Sequence, residues 1–124
     1  IDCPGASAAV LEGHVTYSNQ AKMRVLGVRA ETLAAHGAVS AECALEMAEG
    51  ARRESGATWA LSTTGVAGPD GGTPEKPVGL VYVGVAGPDG AKAERLMLRG
   101  DRDWIRTLAC QNAFNLLRLR LLAR

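Results

Sequence analysis

Two stretches of this chain gather residue types able to act on a small polar molecule. The first is Tyr17-Ser18-Asn19-Gln20-Ala21-Lys22. A β-prone run meets a helix start there, and Lys22 falls in the first turn. A helix N-terminus disfavours a cation. Destabilising the ammonium form is one route to a neutral amine that can take a proton. The alternative is a solvated surface lysine. The second stretch is Ser62 to Gly79, STTGVAGPDGGTPEKPVG, whose last 15 residues hold five glycines and three prolines. Glycine permits positive φ and lets backbone N–H groups approach a ligand. Proline holds a loop in one shape. A long, stiff loop between two strands serves a site more often than a mere connection, although Gly and Pro also mark ordinary surface loops.

The loop is neither a P-loop nor a dinucleotide fingerprint. Asp70 follows Gly65 by five residues and Thr73 follows Gly68 by five, so G-x-x-x-x-G-K-[ST] fails, and no G-x-G occurs. A phosphate cradle in this loop would be a nest of N–H groups helped by the Thr64 or Thr73 hydroxyl. A third candidate is Arg99-Gly100-Asp101-Arg102 with Arg106 one turn later. Two guanidinium groups near a helix start could clamp a phosphate. The alternative is a capped helix with exposed charges. The basic end, Arg118-Leu119-Arg120 and Arg124, complements a helix C-terminus.

At 124 residues the chain is one domain, residues 1–124, with room for a core. Fourteen basic residues nearly cancel 13 acidic ones, so no bulk attraction to nucleic acid or to an acidic membrane surface is implied. Trp, Tyr and Phe number 2, 2 and 1, too few to stack many bases. No apolar run approaches a membrane span, and no leader is evident. Cys3, Cys43 and Cys110 are odd in number and far apart, which fits a reducing cytoplasm. His14 and His36 stand 22 residues apart and no C-x-x-C exists, so no metal site is expected.

The elements that must position these residues follow from caps and periodicity. Ala6 to Leu11 can form a short helix, and His14 to Tyr17 a short β-prone run. Asn19 to Leu26 reads as a helix stopped by Gly27, with Ser18 or Asn19 as N-cap. Ala30 to His36 is a second, stopped by Gly37. Ser40 to Glu54 is a third, with Ala41, Ala44, Leu45, Ala48 and Ala51 on one face. Thr58 to Thr63 is a strand entering the loop. Gly79 to Ala86 is a strand buried on both faces. The turn Gly87-Pro88-Asp89-Gly90 returns Lys92 to Leu98 antiparallel. Asp101 caps a last long helix with a stripe of Ile105, Leu108, Ala109, Asn112, Leu116 and Leu119. The order predicts a mixed sheet covered by helices on both sides.

Several strings then stand out together: Pro4-Gly5-Ala6-Ser7, Val15-Thr16-Tyr17-Ser18-Asn19 with Ala21-Lys22, His36-Gly37-Ala38-Val39-Ser40, Thr64 to Gly72, Glu75-Lys76-Pro77-Val78-Gly79 and Gly100-Asp101-Arg102. In this order they resemble the C-terminal domain of the competence/damage-inducible CinA proteins, which also occurs alone as the bacterial nicotinamide-nucleotide amidase. The resemblance covers essentially the whole chain. It implies a three-layer α/β/α sandwich with a mixed β-sheet. It implies hydrolysis of the carboxamide of nicotinamide mononucleotide to nicotinic acid mononucleotide and ammonia, by a serine nucleophile with a lysine partner. Lys22 matches that lysine. The resemblance places Tyr17, Ser18, Asn19, Thr64, Gly65, Gly68 and Arg102 around the substrate, a small nucleotide. It implies no metal, no organic cofactor, no nucleic-acid or membrane partner, and a homodimer.

One departure is serious. The family serine lies in a Glu-Ser-x-Thr-Gly-Gly block shortly before the Pro-Gly-Ala-Ser segment. These 124 residues hold no counterpart of it, nor of the family's first strand and helix. The rival from another class is therefore a non-catalytic nucleotide-binding or regulatory domain. A third reading is a structural oligomerisation domain.

Overall fold

The computed structural model describes residues Ile1–Arg124. Four helices and three strands follow in the order α1 (Asn19–Leu26), α2 (Ala30–His36), α3 (Ala41–Ser55), β1 (Ala60–Gly65), β2 (Leu80–Gly87), β3 (Gly90–Met97) and α4 (Arg102–Leu122). The helices begin and end where local chemistry directs. Ser18 accepts a hydrogen bond from the Ala21 N–H at 3.0 Å and opens α1. Ser40 does the same for the Cys43 N–H at 3.1 Å and opens α3. Asp101 accepts from the Trp104 N–H at 2.8 Å and opens α4. Gly27 closes α1 at φ 68° and Gly56 closes α3 at φ 71°, both left-handed.

The strands form one sheet in the order β1-β2-β3. Its layered α/β class is as expected, but both pairings are antiparallel, so the sheet of this chain is not mixed. A parallel pair needs a crossover helix between its strands. The β1–β2 connection is instead the Gly/Pro loop, and β2 and β3 meet across the two-residue turn Pro88-Asp89. β1 also lies two residues beyond the expected Thr58–Thr63 span, since the Thr58 carbonyl accepts from Arg52 Nε at 2.9 Å.

The central strand β2 is buried on both faces. Val81, Val83 and Val85 pack against Ile105, Ala109, Ala113 and Leu116 of α4. The opposite face carries Gly84, directly under α3: a Cβ there would lie 2.5 Å from Ser62 Oγ and 2.7 Å from the Ala44 carbonyl oxygen. α1 and α2 lean on the outer side of α3, where Leu26, Val28, Cys43 and Met47 form a second apolar cluster. α3 is thus covered from two sides. It buries Cys43, Ala44, Met47, Ala48 and Gly50, a wider band than the single Ala/Leu face expected, and Leu45 is only half-buried. On α4 the stripe turns toward Ala113, and Leu119 is left half-exposed.

Two N-terminal expectations fail. Ala6–Ala8 makes a single 3-10 turn that buries nothing, so the helix to Leu11 does not form. A short helix with no face to bury is unstable in water. His14 to Tyr17 is not a strand: it has no pairing partner, and Val15 is 90% exposed.

Gly50 lies inside α3, where alanine ordinarily stabilises by about 1 kcal/mol. A Cβ at Gly50 would fall 1.9 Å from the Leu26 carbonyl oxygen. Gly50→Ala should therefore destabilise, by about 1–3 kcal/mol, read from the urea midpoint. A stabilised variant would show that α1 does not press on α3 as described.

Candidate active site

Lys22 is the unusual residue. It sits in the first turn of α1, capped by Ser18, and only 7% of it is exposed. The surface-lysine alternative is therefore excluded. Nζ donates to the Thr16 carbonyl at 2.6 Å. That acceptor is neutral, and an ammonium has three donors. A buried cation without a carboxylate is unfavourable, so stability alone does not account for this lysine.

Thr16 leads directly into Tyr17. Tyr17 is exposed, and its hydroxyl accepts from Arg102 Nη2 at 3.2 Å. The same guanidinium donates through Nη1 to the Gly68 carbonyl at 2.8 Å. Arg102 is the first residue of α4. One side chain thus ties the start of α4 to the Gly/Pro loop and to the segment that holds Lys22. The structure brings Tyr17, Ser18, Lys22, Gly68 and Arg102 into one connected arrangement. Asn19 opens α1 beside them.

The loop itself is shaped from within. The Val66 N–H donates to the Leu80 carbonyl at 2.9 Å, the Gly79 N–H to the Val66 carbonyl at 2.7 Å, and the Thr73 N–H to the Lys76 carbonyl at 2.9 Å. The N–H groups of Ala67, Gly68, Gly71 and Gly72 donate to no backbone acceptor. They are donors that an anion or an amide oxygen could use. Gly68 has φ 78° and a Cβ there would lie 2.5 Å from Val78 Cγ1. Gly65 is explained differently. A Cβ there would meet the Leu80 carbonyl oxygen and Val81 Cγ2 at 2.7 Å each, so the approach of β2 demands this glycine.

Thr64 is buried and donates to the Ala38 carbonyl at 2.7 Å, binding the end of β1 to the loop before α3. Thr73 is an internal brace, accepting from the Lys76 N–H at 3.0 Å. Lys76 Nζ donates to the His36 carbonyl at the C-terminus of α2. Arg106 does not join Arg102 in a clamp: it is exposed and lies 3.8 Å from Asp103.

Sequence reasoning missed Thr16 as the acceptor of Lys22 and counted Cys43 only as one of three scattered cysteines. Cys43 is fully buried in the first turn of α3. Burial raises its thiol pKa; Lys22 and Lys76 oppose this and Glu46 adds to it. Both lysines therefore lie near the start of α3. Burial pushes the Glu46 carboxyl up, but nearby Thr32 and Arg29, whose Nε and backbone N–H donate to Oε1 at 2.8 and 3.4 Å, outweigh this and hold it below the ordinary carboxylate range. The raised thiol is protonated at neutral pH and is a poor nucleophile. No group of three or more His, Cys, Asp or Glu comes together, and no helix is long and apolar enough to cross a membrane.

With this geometry in hand, the likeness to known proteins is specific. The family model of the CinA C-terminal domain matches residues 1–121. The chain belongs to the CinA C-terminal domain family. A CinA-like protein of Citrifermentans bemidjiense is 55% identical over 120 residues, which are 97% of this chain and 29% of that protein. One of Anaeromyxobacter sp. strain K is 60% identical over 118 residues, 95% of this chain and 29% of that protein. The chain thus spans under a third of these relatives. Among solved structures, the competence/damage inducible protein CihA of Agrobacterium tumefaciens superposes with a TM-score of 0.91 at 42% identity, covering 94% of this chain and 72% of that one. A CinA superfamily protein of Escherichia coli gives 0.79 at 34% identity, covering 85% of this chain and 62% of that one. The expected family and layered fold are borne out.

Cys3 and Cys110 are exposed whereas Cys43 is not. A water-soluble thiol reagent on the native CinA domain should label Cys3 and Cys110 within minutes and leave Cys43 intact until denaturant is added. Rapid native labelling of Cys43, located by peptide mass, would show an open cleft where the structure has a packed helix start.

Proposed function

We propose that this CinA domain takes part in hydrolysing the carboxamide of nicotinamide mononucleotide, giving nicotinic acid mononucleotide and ammonia. The observation that carries this reading is Lys22, buried without a carboxylate and held by one neutral carbonyl at 2.6 Å. Lys22, in its neutral form, accepts the proton of an attacking hydroxyl as the hydroxyl oxygen bonds to the carboxamide carbon. It returns that proton to the leaving nitrogen as the C–N bond breaks and ammonia departs. Water then cleaves the acyl intermediate. The free N–H groups of the Gly/Pro loop stabilise the oxyanion or hold the phosphate. Arg102 keeps further donors beyond those used on Gly68 and Tyr17, and these meet the phosphate. No metal or organic cofactor enters the scheme.

The reading requires a nucleophile that nearby hydroxyls do not supply. Ser40 donates to the Gly37 carbonyl and caps α3, Thr64 donates to Ala38, and Ser18 is occupied as the cap of α1. The same facts favour a second reading for these residues alone: they bind the nucleotide and leave the chemistry to another segment.

In a full-length protein that turns the mononucleotide over, Lys22→Ala should lower ammonia release by about 100-fold or more while circular dichroism and melting temperature remain native-like. Turnover within about tenfold of the parent would remove Lys22 from the chemistry. Arg102→Ala should raise KM by about tenfold or more with kcat little changed, the pattern of lost uniform binding; an unchanged KM would take the guanidinium off the phosphate. For the binding reading, the 124-residue chain should melt higher with nicotinamide mononucleotide present and release no ammonia.

A further inference from the structure

Three side chains hold the short connection between α2 and α3. Its carbonyls at His36, Gly37 and Ala38 accept in turn from Lys76 Nζ, from Ser40 Oγ at 2.8 Å and from Thr64 Oγ1 at 2.7 Å. Ser40 opens α3 and Thr64 belongs to β1. Lys76 comes from the Gly/Pro loop, 40 residues from His36 in the chain. Gly37 makes room for it: a Cβ there would lie 2.8 Å from Lys76 Nζ. The ammonium meets a carbonyl at the C-terminus of a helix, where a cation is favoured. No carboxylate pairs with it.

The backbone of Lys76 is fixed as well. Its N–H donates to Thr73 Oγ1 at 3.0 Å, and its carbonyl accepts from the Thr73 N–H at 2.9 Å. The far limb of the loop is thus closed into a turn, Thr73 to Lys76, and that turn is tethered to α2. The near limb has a tether of its own, Arg102 Nη1 on the Gly68 carbonyl at 2.8 Å. Between the two tethers stand Gly71 and Gly72, whose N–H groups donate to no backbone acceptor. Such donors hold an anion well only when their direction is fixed beforehand. A loop tied at one end samples many directions, and ordering it on binding costs conformational entropy.

We propose that Lys76 is a positioning residue of the candidate site. By tethering the turn from Thr73 to Lys76 to the end of α2, it holds the Gly71 and Gly72 N–H groups ready for an anionic group of the ligand. Lys76 and Arg102 then secure the loop from opposite layers of the domain, and loss of either frees one limb. The ligand's identity rests on the function proposed above, whereas the tether does not.

The test compares the 124-residue chain with Lys76→Met, Lys76→Arg and Gly50→Ala. Backbone order parameters are measured by NMR at Gly71 and Gly72, and nicotinamide mononucleotide and then inorganic phosphate are titrated in. In Lys76→Met the order parameters should fall from about 0.85 to below about 0.6. Its affinity should weaken by about tenfold or more. Lys76→Arg, which keeps a cationic donor, should restore both. Gly50→Ala lowers stability far from the loop and should change neither, which separates positioning from stability alone. Unchanged order in Lys76→Met overturns the proposal, as does lost order with unchanged affinity, or the same losses in Gly50→Ala. If the parent chain binds phosphate but not the mononucleotide, the substrate reading fails and the tether is judged on phosphate. Binding of neither overturns both.

Discussion

The contact on which most of the molecule depends is the close approach of α3 to the sheet. Ser62 Oγ donates to the Ala44 carbonyl at 2.6 Å, and Gly84 leaves the space a Cβ would fill. A helix seated this low needs small residues on both surfaces, and Ala44, Ala48 and Gly84 supply them. With few aromatic residues available, close backbone packing takes the place of bulky side chains in filling the interior. The seat of α3 then fixes everything on its outer side: Cys43 and Met47 meet Leu26 and Val28, and Gly50 lets the end of α1 press against the helix.

From that seat the site follows. Lys22 and Lys76 lie near the start of α3, and the loop before it accepts the Thr64 hydroxyl at Ala38. The opposite layer contributes through Arg102, which spans from α4 to the Gly68 carbonyl and the Tyr17 hydroxyl. Helices on opposite faces of one sheet thus come together at the Gly/Pro loop end. Arg102 thus links the Gly/Pro loop, whose Ala67, Gly68, Gly71 and Gly72 N–H groups have no backbone acceptor, to the segment carrying Thr16, the partner of Lys22. A second open feature, a groove beside the β1 edge, is lined mainly by hydrophobic residues and borders none of Lys22, Gly68 and Arg102.

Much of this was legible because it is local. Ser18, Ser40 and Asp101 announce helix starts through hydrogen bonds to N–H groups three residues on, and Gly27, Gly37 and Gly56 announce the stops. Pro88-Asp89 between glycines announces the hairpin. What failed was what needed a partner. The propensities of Ala6 to Leu11 and of His14 to Tyr17 are real, but the first run has no face to bury and the second has no strand to pair with, so neither element forms. The parallel component of the sheet failed for a related reason, since no crossover helix joins these strands.

The sequence by itself determined the helices, the hairpin, the stiffness of the loop and, through its family strings, the kind of domain. These depend on dihedral preference, capping and order along the chain. Only the tertiary structure decided that Lys22 is buried against the Thr16 carbonyl, that Gly65 makes room for the neighbouring strand, and that Arg102 reaches Tyr17, 85 residues away in the chain. Burial and long-range hydrogen bonds depend on which surfaces meet in space, and residue spacing does not encode that distance.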